Sequence, residues 1–232
     1  MSDNKDKGGF YDTGWRPSGE VHRDEEGRPH DHPGLQEDTG MGVRVSRALA
    51  MHELLVEKGV IDENEVDDAI EAWSKRVPSN GATLVAKAWS DPEFRTRLLE
   101  HPKETVIESG FVPEHNADII VLENTSEVQH MVVCTLCSCY PTALLGPPPD
   151  WYKSFSYRSR AVTEPRAVMS EFGLELEDET EVRVVDSNSE LRFLVIPRRP
   201  AGTEGWSVDQ LAELVNRNSM IGVTAATEPG TE

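Results

Sequence analysis

The chain is poor in basic residues, has few cysteines and contains no long apolar run. Its 23 Lys and Arg stand against 42 Asp and Glu, which gives a formal net charge of −19. A polyanion would be repelled by this charge, and no basic stripe runs along the chain, so we exclude nucleic acid as a partner. No apolar segment reaches the length of a membrane span, and the N-terminus lacks the basic start and apolar centre of a secretory signal. We therefore expect no membrane partner and a cytoplasmic protein.

The first 40 residues contain almost no aliphatic side chains. They hold ten Asp and Glu and five Lys and Arg, together with several Gly and Pro. Such a segment cannot bury enough apolar surface to offset the entropy lost on ordering it. We predict a disordered acidic tail over residues 1–42, a helical N-terminal arm over 43–112 and a metal-binding α+β catalytic domain over 113–232.

The pattern of apolar residues changes from helical to strand-like near residue 112. Helix periodicity, capping residues and prolines predict helices over 44–58, 62–76, 81–90, 91–100 and 102–110. Short β-branched runs predict strands, and further helices are expected near the middle and the end of the chain. The predicted strands are 119–122, 131–133, 181–185 and 190–196, and the later helices are 151–160, 166–172 and 207–216. We expect the last two strands to pair with each other across residues 186–189. Helices followed by few strands indicate an α+β fold rather than a doubly wound sheet.

All three cysteines, Cys134, Cys137 and Cys139, lie within six residues. A disulfide between Cys137 and Cys139 would close a very small ring with awkward geometry. The spacing of Cys134 and Cys137 is that of a redox pair, but this interpretation leaves the third thiol unexplained. A structural zinc site would need a distant fourth ligand such as His115 or His130. The pattern favours metal binding, and a reversible metal-binding or redox-sensing module stays open as the non-enzyme alternative.

The short segment between Cys137 and Cys139 also supplies two peptide nitrogens. If Ser138 N and Cys139 N lose their protons, two sulfurs and two nitrogens can surround one metal in chelate rings of five and six atoms. Cys134 can add a fifth ligand, which leaves a sixth position open, as a catalytic metal requires. Zinc does not deprotonate peptide nitrogen at neutral pH, whereas a trivalent ion can, and soft thiolates suit cobalt or iron.

These residues resemble the nitrile hydratase α-subunit family. The segment Val133–Cys139 looks like the family's metal-binding motif, and the likeness covers roughly Gly81 to Val223. It continues through residues 85–89, 91–94, 145–148, 151–154, 157–158, 164–166, 192–195, 200–206 and 219–223. The fold implied is a helical N-terminal extension followed by a layered α/β domain of the nitrile hydratase α-subunit type.

The resemblance implies a catalytic site and its cofactor. Cys134, Cys137 and Cys139 would be the sulfur ligands and Ser138 and Cys139 the amide donors, with one Co(III) per chain. Cys137 would be oxidised to a sulfinate and Cys139, the catalytic residue, to a sulfenate. Threonine after the first cysteine, here Thr135, accompanies cobalt in the family, whereas serine accompanies Fe(III), which is the alternative metal. A β-type subunit, or two smaller chains in its place, would complete the site.

The segment after the motif departs from the usual family pattern. The family has Thr-Pro-Trp or Thr-Ala-Trp where this chain has Tyr140-Pro141-Thr142. Loss of the indole should enlarge or reshape the pocket for the small-molecule nitrile, so we expect a bulkier nitrile. Toyocamycin nitrile hydratase, which acts on a nucleoside nitrile, is one candidate within the family. We take Thr142, Tyr140 and His115 as candidate pocket residues, although His115 could equally be a surface histidine beside Glu114.

A second member of the same structural family gives the alternative enzyme. The Tyr140-Pro141 pair and residues 186–188 also resemble the γ subunit of cobalt thiocyanate hydrolase, which converts thiocyanate to carbonyl sulfide and ammonia. That relative carries arginine at the place of Thr142, which would suit an anionic substrate. Its absence here, with the negative charge of the chain, favours a neutral nitrile.

Overall fold

The computed structural model describes residues 41–113 and 117–230. The predicted acidic tail therefore lies outside the described residues, apart from Met41 and Gly42, and so does His115. Within the described part of the chain, no helix is long and apolar enough to cross a membrane.

Five helices precede the first strand in the described residues, close to where the sequence predicts them. They are α1 (Met41–Glu57), α2 (Glu65–Ser74), α3 (Pro78–Ser90), α4 (Pro92–Glu100) and α5 (Pro102–Glu108). The predicted cap of α4 is confirmed, because the Asp91 side chain accepts hydrogen bonds from the N–H groups of Glu93 and Phe94. At α2 only half of the predicted capping box forms. The N–H of Asp62 donates to the Glu65 carboxylate, while the helix begins at Glu65 itself.

Four strands and six short helices follow within residues 117–230. They are β1 (Asp118–Glu123), β2 (Val128–Val133), α6 (Thr142–Leu145), α7 (Asp150–Lys153), α8 (Phe155–Thr163), α9 (Pro165–Glu171), β3 (Glu181–Asp186), β4 (Leu191–Ile196), α10 (Val208–Glu213) and α11 (Arg217–Ile221). Ser207 and Gln210 form the complete capping box expected at the start of α10. The mixture of helices and few strands confirms the predicted α+β class.

The strands pair in parallel, which corrects the predicted hairpin. β1 pairs with β4 and β2 pairs with β3, each along all six residues, so β3 and β4 are not partners. The residues expected to turn the chain back have other contacts. Ser187 N donates to Val133 O at 2.7 Å, which extends the β2–β3 ladder by one bond. The side chain of Asn188 accepts from the N–H groups of Glu190 and Leu191 and so closes a local turn before β4.

The contacts within the chain define two compact units. Among the described residues, one unit holds α1 and α2 and ends at Lys75, and the other begins at Arg76. In the larger unit α3 packs on α10, α4 and α6, and α5 contacts β1. The apolar core of this unit includes residues from Ala82 to Val223. The predicted boundary between arm and catalytic domain at residues 112 and 113 stays a prediction, and α3 to α5 belong to the unit that holds the strands.

Candidate metal centre

The three cysteine sulfurs converge on one point at the carboxyl end of β2. The Sγ atoms of Cys134, Cys137 and Cys139 all lie within 4.8 Å of one another. Cys137 Sγ is 3.6 Å from that of Cys134 and 3.4 Å from that of Cys139. The structure therefore brings together the three predicted sulfur ligands. We call residues Cys134–Cys139 the cysteine loop.

The strand and the loop expose the three thiols to different degrees. Cys134 follows the last residue of β2 directly and is completely buried, whereas Cys139 is half-buried and Cys137 is exposed. The N–H of Cys137 donates to Cys134 Sγ at 3.3 Å, so the loop turns back over the buried sulfur. One sulfur thus lies at the base of the site, and two lie nearer to solvent.

The parallel pairing of β2 and β3 places an aspartate beside the loop. Val133 and Asp186 are partners at the ends of the two strands. The Asp186 carboxylate accepts from Thr135 N at 3.0 Å and from Thr135 Oγ1 at 2.6 Å. Sequence reasoning assigned Asp186 to a hairpin turn and missed this contact, because the pattern of one strand does not reveal its partner.

Helix α8 holds the other side of the loop through two consecutive residues. Tyr157, which is buried, donates its hydroxyl to Val132 O at 2.6 Å, and Arg158 Nη1 donates to Leu136 O at 3.0 Å and to Thr135 O at 3.3 Å. Ser154 caps the helix by accepting from Tyr157 N. The sequence analysis recognised this segment as part of the resemblance but gave no role to either side chain.

A buried aromatic cluster underlies the last residue of the loop. Tyr152 donates its hydroxyl to Cys139 O at 2.9 Å. Its ring contacts Tyr140, with ring centroids 5.1 Å apart, and Tyr157, with centroids 5.6 Å apart. Burial raises the pKa of all three phenols well above the usual value, so they stay protonated and can act as donors.

The surroundings of Cys137 and Cys139 shift the pKa values of these two thiols in opposite directions. The pKa of Cys137 is lowered, first by its hydrogen bond with the Cys139 thiol and then by the N–H of Ser138, with a smaller effect from the N–H of Cys139. Burial first, and then the neighbouring sulfurs of Cys137 and Cys134, raise the pKa of Cys139 to about 12, against the opposing charge of Arg192. The exposed thiol is therefore the better nucleophile in the metal-free chain.

The donor set fits one soft metal ion. Three thiols converge, and the N–H groups of Ser138 and Cys139 act on Cys137, so both predicted peptide donors belong to the same small site. Among the described residues, the cluster that could hold a metal ion contains no histidine or carboxylate. His130, considered above as a zinc ligand, instead directs Nδ1 to Asn124 Oδ1 at 3.1 Å. The described residues therefore offer three sulfur ligands rather than the closed set of four that structural zinc prefers.

The predicted pocket residues lie close to the loop in sequence but differ in exposure. Tyr140 is buried, and its hydroxyl has no hydrogen-bond partner among the described residues. Thr142 begins α6, is half-buried and accepts from Arg76 Nη1 at 3.3 Å. His115 lies outside the described residues. The role of the three residues in a pocket stays a prediction.

Fold and site together define an α+β protein with a cluster of three cysteine sulfurs that could hold one metal ion, built on a single short loop. The family model described as nitrile hydratase, alpha chain, matches residues 43–224. The chain belongs to this family.

Curated relatives include two kinds of enzyme subunit. The nitrile hydratase subunit alpha of a Rhodococcus species is 50% identical over 186 residues, which cover 79% of this chain and 94% of the relative. The cobalt-containing nitrile hydratase subunit alpha of Pseudonocardia thermophila is 49% identical over 183 residues, covering 78% and 90%. The thiocyanate hydrolase subunit gamma of Thiobacillus thioparus is 42% identical over 197 residues, covering 78% and 79%.

Solved structures have the same fold. A double mutant of the Fe-type nitrile hydratase from Comamonas testosteroni Ni1 aligns with a TM-score of 0.72 at 39% identity, covering 84% of this chain and 94% of that one. A thiocyanate hydrolase mutant aligns with the same TM-score and identity, covering 84% and 93%. The same fold is therefore found in Fe-type nitrile hydratase and in thiocyanate hydrolase, which has cobalt centres.

Proposed function

We propose that this chain is the metal-bearing catalytic subunit of a cobalt nitrile hydratase, which hydrates a nitrile to the corresponding amide. The observation that carries the proposal is the convergence of three cysteine sulfurs, within 4.8 Å of one another, in a member of this family. The 49% identity to a cobalt-containing relative supports cobalt as the metal.

The ligands would be the sulfurs of Cys134, Cys137 and Cys139 and the peptide nitrogens of Ser138 and Cys139. When bound there as Co(III), one ion per chain, cobalt would supply Lewis-acid chemistry that polarises the nitrile. The chain's own part is to hold five donors in one short loop and to leave one side of the site open. Thr135, rather than serine, after the first cysteine favours cobalt over Fe(III), although an Fe-type enzyme has the same fold.

The exposure of the thiols agrees with the proposed pattern of cysteine oxidation. Oxygenation of a cysteine follows its thiolate character and its access to oxidant. Cys137 is exposed and has a lowered pKa, which suits the more oxidised sulfinate, while the half-buried Cys139 would stop at the sulfenate. Cys134 is completely buried and would stay a thiolate. The Cys139 oxygen would then attack the nitrile carbon or activate the water that attacks it.

The site also requires a partner surface, which we propose is a β-type subunit or two smaller chains. The relatives are named as subunits, in agreement with an assembly. Leu136 at the tip of the cysteine loop is 82% exposed, and Phe155 at the start of α8 is 78% exposed. Large apolar side chains exposed this far, on the cysteine loop and on the helix that binds it, suit a protein interface. We propose that the assembly works in the cytoplasm.

Replacing one ligand tests the proposal directly. Cys139→Ala removes a sulfur donor and the proposed catalytic oxygen, so we expect loss of bound cobalt and a fall in amide production by at least about a hundredfold. Cobalt is measured by metal analysis of the purified assembly, amide by chromatography, and the oxygens on Cys137 and Cys139 by intact mass of the tryptic peptide that contains them.

Ser156→Ala provides a matched control. Ser156 lies on the exposed side of α8, outside the cysteine loop, so this variant should keep its metal and its turnover. Unchanged cobalt and amide production in Cys139→Ala would remove the proposal. So would bound zinc, or a reversible disulfide without metal in the matured protein, because each is the signature of the metal-binding or redox-sensing alternative.

A second candidate, hydrolysis of thiocyanate, has one structural observation in its favour. Arg76 places a guanidinium at hydrogen-bond distance from Thr142, the position at which the thiocyanate enzyme is expected to carry its own arginine. A cation there would attract an anionic substrate. Parallel assays of amide from nitriles and carbonyl sulfide from thiocyanate distinguish the two functions. We expect the nitrile to be the better substrate, and Arg76→Gln should lower only activity on anions.

A further inference from the structure

The tip of the cysteine loop is held by polar contacts rather than by burial. Leu136 is 82% exposed, and Thr135 and Cys137 are exposed as well, so this stretch buries almost no apolar surface. A segment with few buried contacts opens at low free-energy cost unless hydrogen bonds restrain it. The conformation that brings the sulfurs together therefore depends on the side chains that bind the loop backbone.

Two side chains from distant parts of the chain bind the same dipeptide. Asp186 accepts from the N–H and the hydroxyl of Thr135, and Arg158 Nη1 donates to the carbonyls of Thr135 and Leu136. The anionic Asp186 thus accepts from the donors of this short segment, and the cationic Arg158 donates to its carbonyls. Arg158 lies on α8, and the preceding residue, Tyr157, fixes this helix to β2 through its hydrogen bond to Val132 O.

The positive charge of Arg158 is opposite to the charge expected of the loaded loop, which is the cysteine loop with its metal bound. Three thiolates and two deprotonated peptide nitrogens carry five negative charges, more than a trivalent ion neutralises. Arg192, whose charge acts on Cys139, directs Nη1 to the carbonyls of Asn188 and Leu191 rather than to the loop. Arg158 hydrogen-bonds to the loop itself, and hydrogen bonds with a charged donor are stronger than neutral ones.

Arg158 also keeps an unpaired donor. Its Nε is buried and has no hydrogen-bond partner among the described residues. A buried unpaired donor costs free energy, so this position of Arg158 lowers the stability of the fold compared with one in which Nε has a partner. Such a cost is typical of a side chain retained for a site.

We propose that Arg158 is a positioning residue for the metal centre. It fixes the Thr135–Leu136 segment so that Cys137 and the two peptide donors stay directed toward Cys134, and it offsets the negative charge of the loaded loop. The second part rests on the proposed function, whereas the first part concerns the metal-free chain as well. Lysine cannot substitute fully, because a single ammonium lacks the rigid planar fork of a guanidinium.

Hydrogen exchange of the metal-free, reduced full chain tests the positioning role without any metal. Arg158→Met removes the charge and both hydrogen bonds, so amides in the peptide spanning Thr135–Cys139 should exchange about tenfold faster or more. Arg158→Lys, which keeps the charge, should show a smaller increase. Arg160→Met is the matched control, because Arg160 lies on the same helix but pairs with Glu164 and Glu171 instead of the loop.

Cobalt release from the purified assembly to a chelator tests the charge role. We expect release to be about tenfold faster in Arg158→Met than in the unmodified protein and unchanged in Arg160→Met. Loop exchange in Arg158→Met equal to that of the control would overturn the positioning role, and Arg158→Lys decides by the same measurement if the methionine variant does not fold. Equal cobalt release would overturn the charge role. Absence of cobalt from the unmodified assembly would defeat the proposed function, while the exchange result would still decide the positioning role.

Discussion

Two buried tyrosine hydroxyls beside the metal centre differ in their hydrogen bonding. Tyr157 donates to Val132 O at 2.6 Å, whereas Tyr140 has no partner among the described residues. A satisfied buried hydroxyl contributes to stability, and an unsatisfied one costs free energy. Residues of the same type in the same aromatic cluster therefore have opposite effects on the fold.

This difference predicts a pair of phenylalanine variants with different stabilities. Tyr157→Phe should lower the free energy of unfolding by about 1–2 kcal/mol, because Val132 O loses its side-chain donor. Tyr140→Phe should leave it unchanged or raise it by up to about 1 kcal/mol. Urea unfolding followed by far-UV circular dichroism measures both, and equal losses in the two variants would contradict the assigned hydrogen bonds.

At the scale of the elements, local signals predicted most of the helices and all of the strands. Asp91 with Pro92, and Ser207 with Gln210, are signals that act within a few residues, so the sequence alone locates these helix starts. The partners of β3 and β4 were predicted wrongly, because alternation identifies a strand but not the strand beside it. The short helices α6 and α11 were missed, since four or five residues give too few turns for a periodic pattern.

The same distinction applies to the candidate site. The spacing of the three cysteines is local and could be recognised directly in the sequence. Asp186 and Arg158 reach the loop only because β3 pairs with β2 and α8 packs on β2. Contacts between residues 22 to 51 positions apart depend on tertiary structure, which the local pattern does not contain.

Strand β2 also carries a histidine that should make stability depend on pH. His130 is buried opposite Arg183 of β3, and burial, followed by the charge of Arg183, lowers its pKa. In the unfolded chain His130 binds a proton near pH 6.5, whereas in the folded chain it binds one only at lower pH. The free energy of unfolding is therefore highest above pH 6.5 and falls as the pH decreases from there through the folded pKa. The slope should not exceed about 1.4 kcal/mol per pH unit.

Urea unfolding between pH 7 and pH 5 measures this dependence. His130→Gln should show a flatter profile in that range, because glutamine does not titrate. Parallel profiles for the two proteins would mean that other groups, such as the many carboxylates, cause the loss of stability.

At the scale of the whole molecule, the buried apolar residues among those that the structure describes all lie in one of the two compact units. All buried hydrophobic residues among those described lie between Ala82 and Ala226, and α2 has no buried residue. In α1 and α2, apolar side chains such as Leu49, Met51 and Trp73 are half exposed or more. The stability of the larger unit should thus depend little on α1 and α2.

Deleting residues 1–75 tests this expectation. The shortened chain should unfold cooperatively, with a melting temperature within a few degrees of that of the full chain, because its apolar core is complete. Differential scanning calorimetry gives both quantities. A broad, non-cooperative transition would show that the first 75 residues are part of the folding unit.

The pairing of Asp186 with Thr135, 51 residues earlier, also has a consequence for biosynthesis. The nascent polypeptide presents its thiols long before it presents the carboxylate that restrains them, and bringing the two together requires closure of a long loop. The cysteine loop therefore lacks its hydrogen bonds to Asp186 until β3 has left the ribosome. Insertion of the proposed cobalt is then expected to follow translation of β3, when most of the chain has been synthesised.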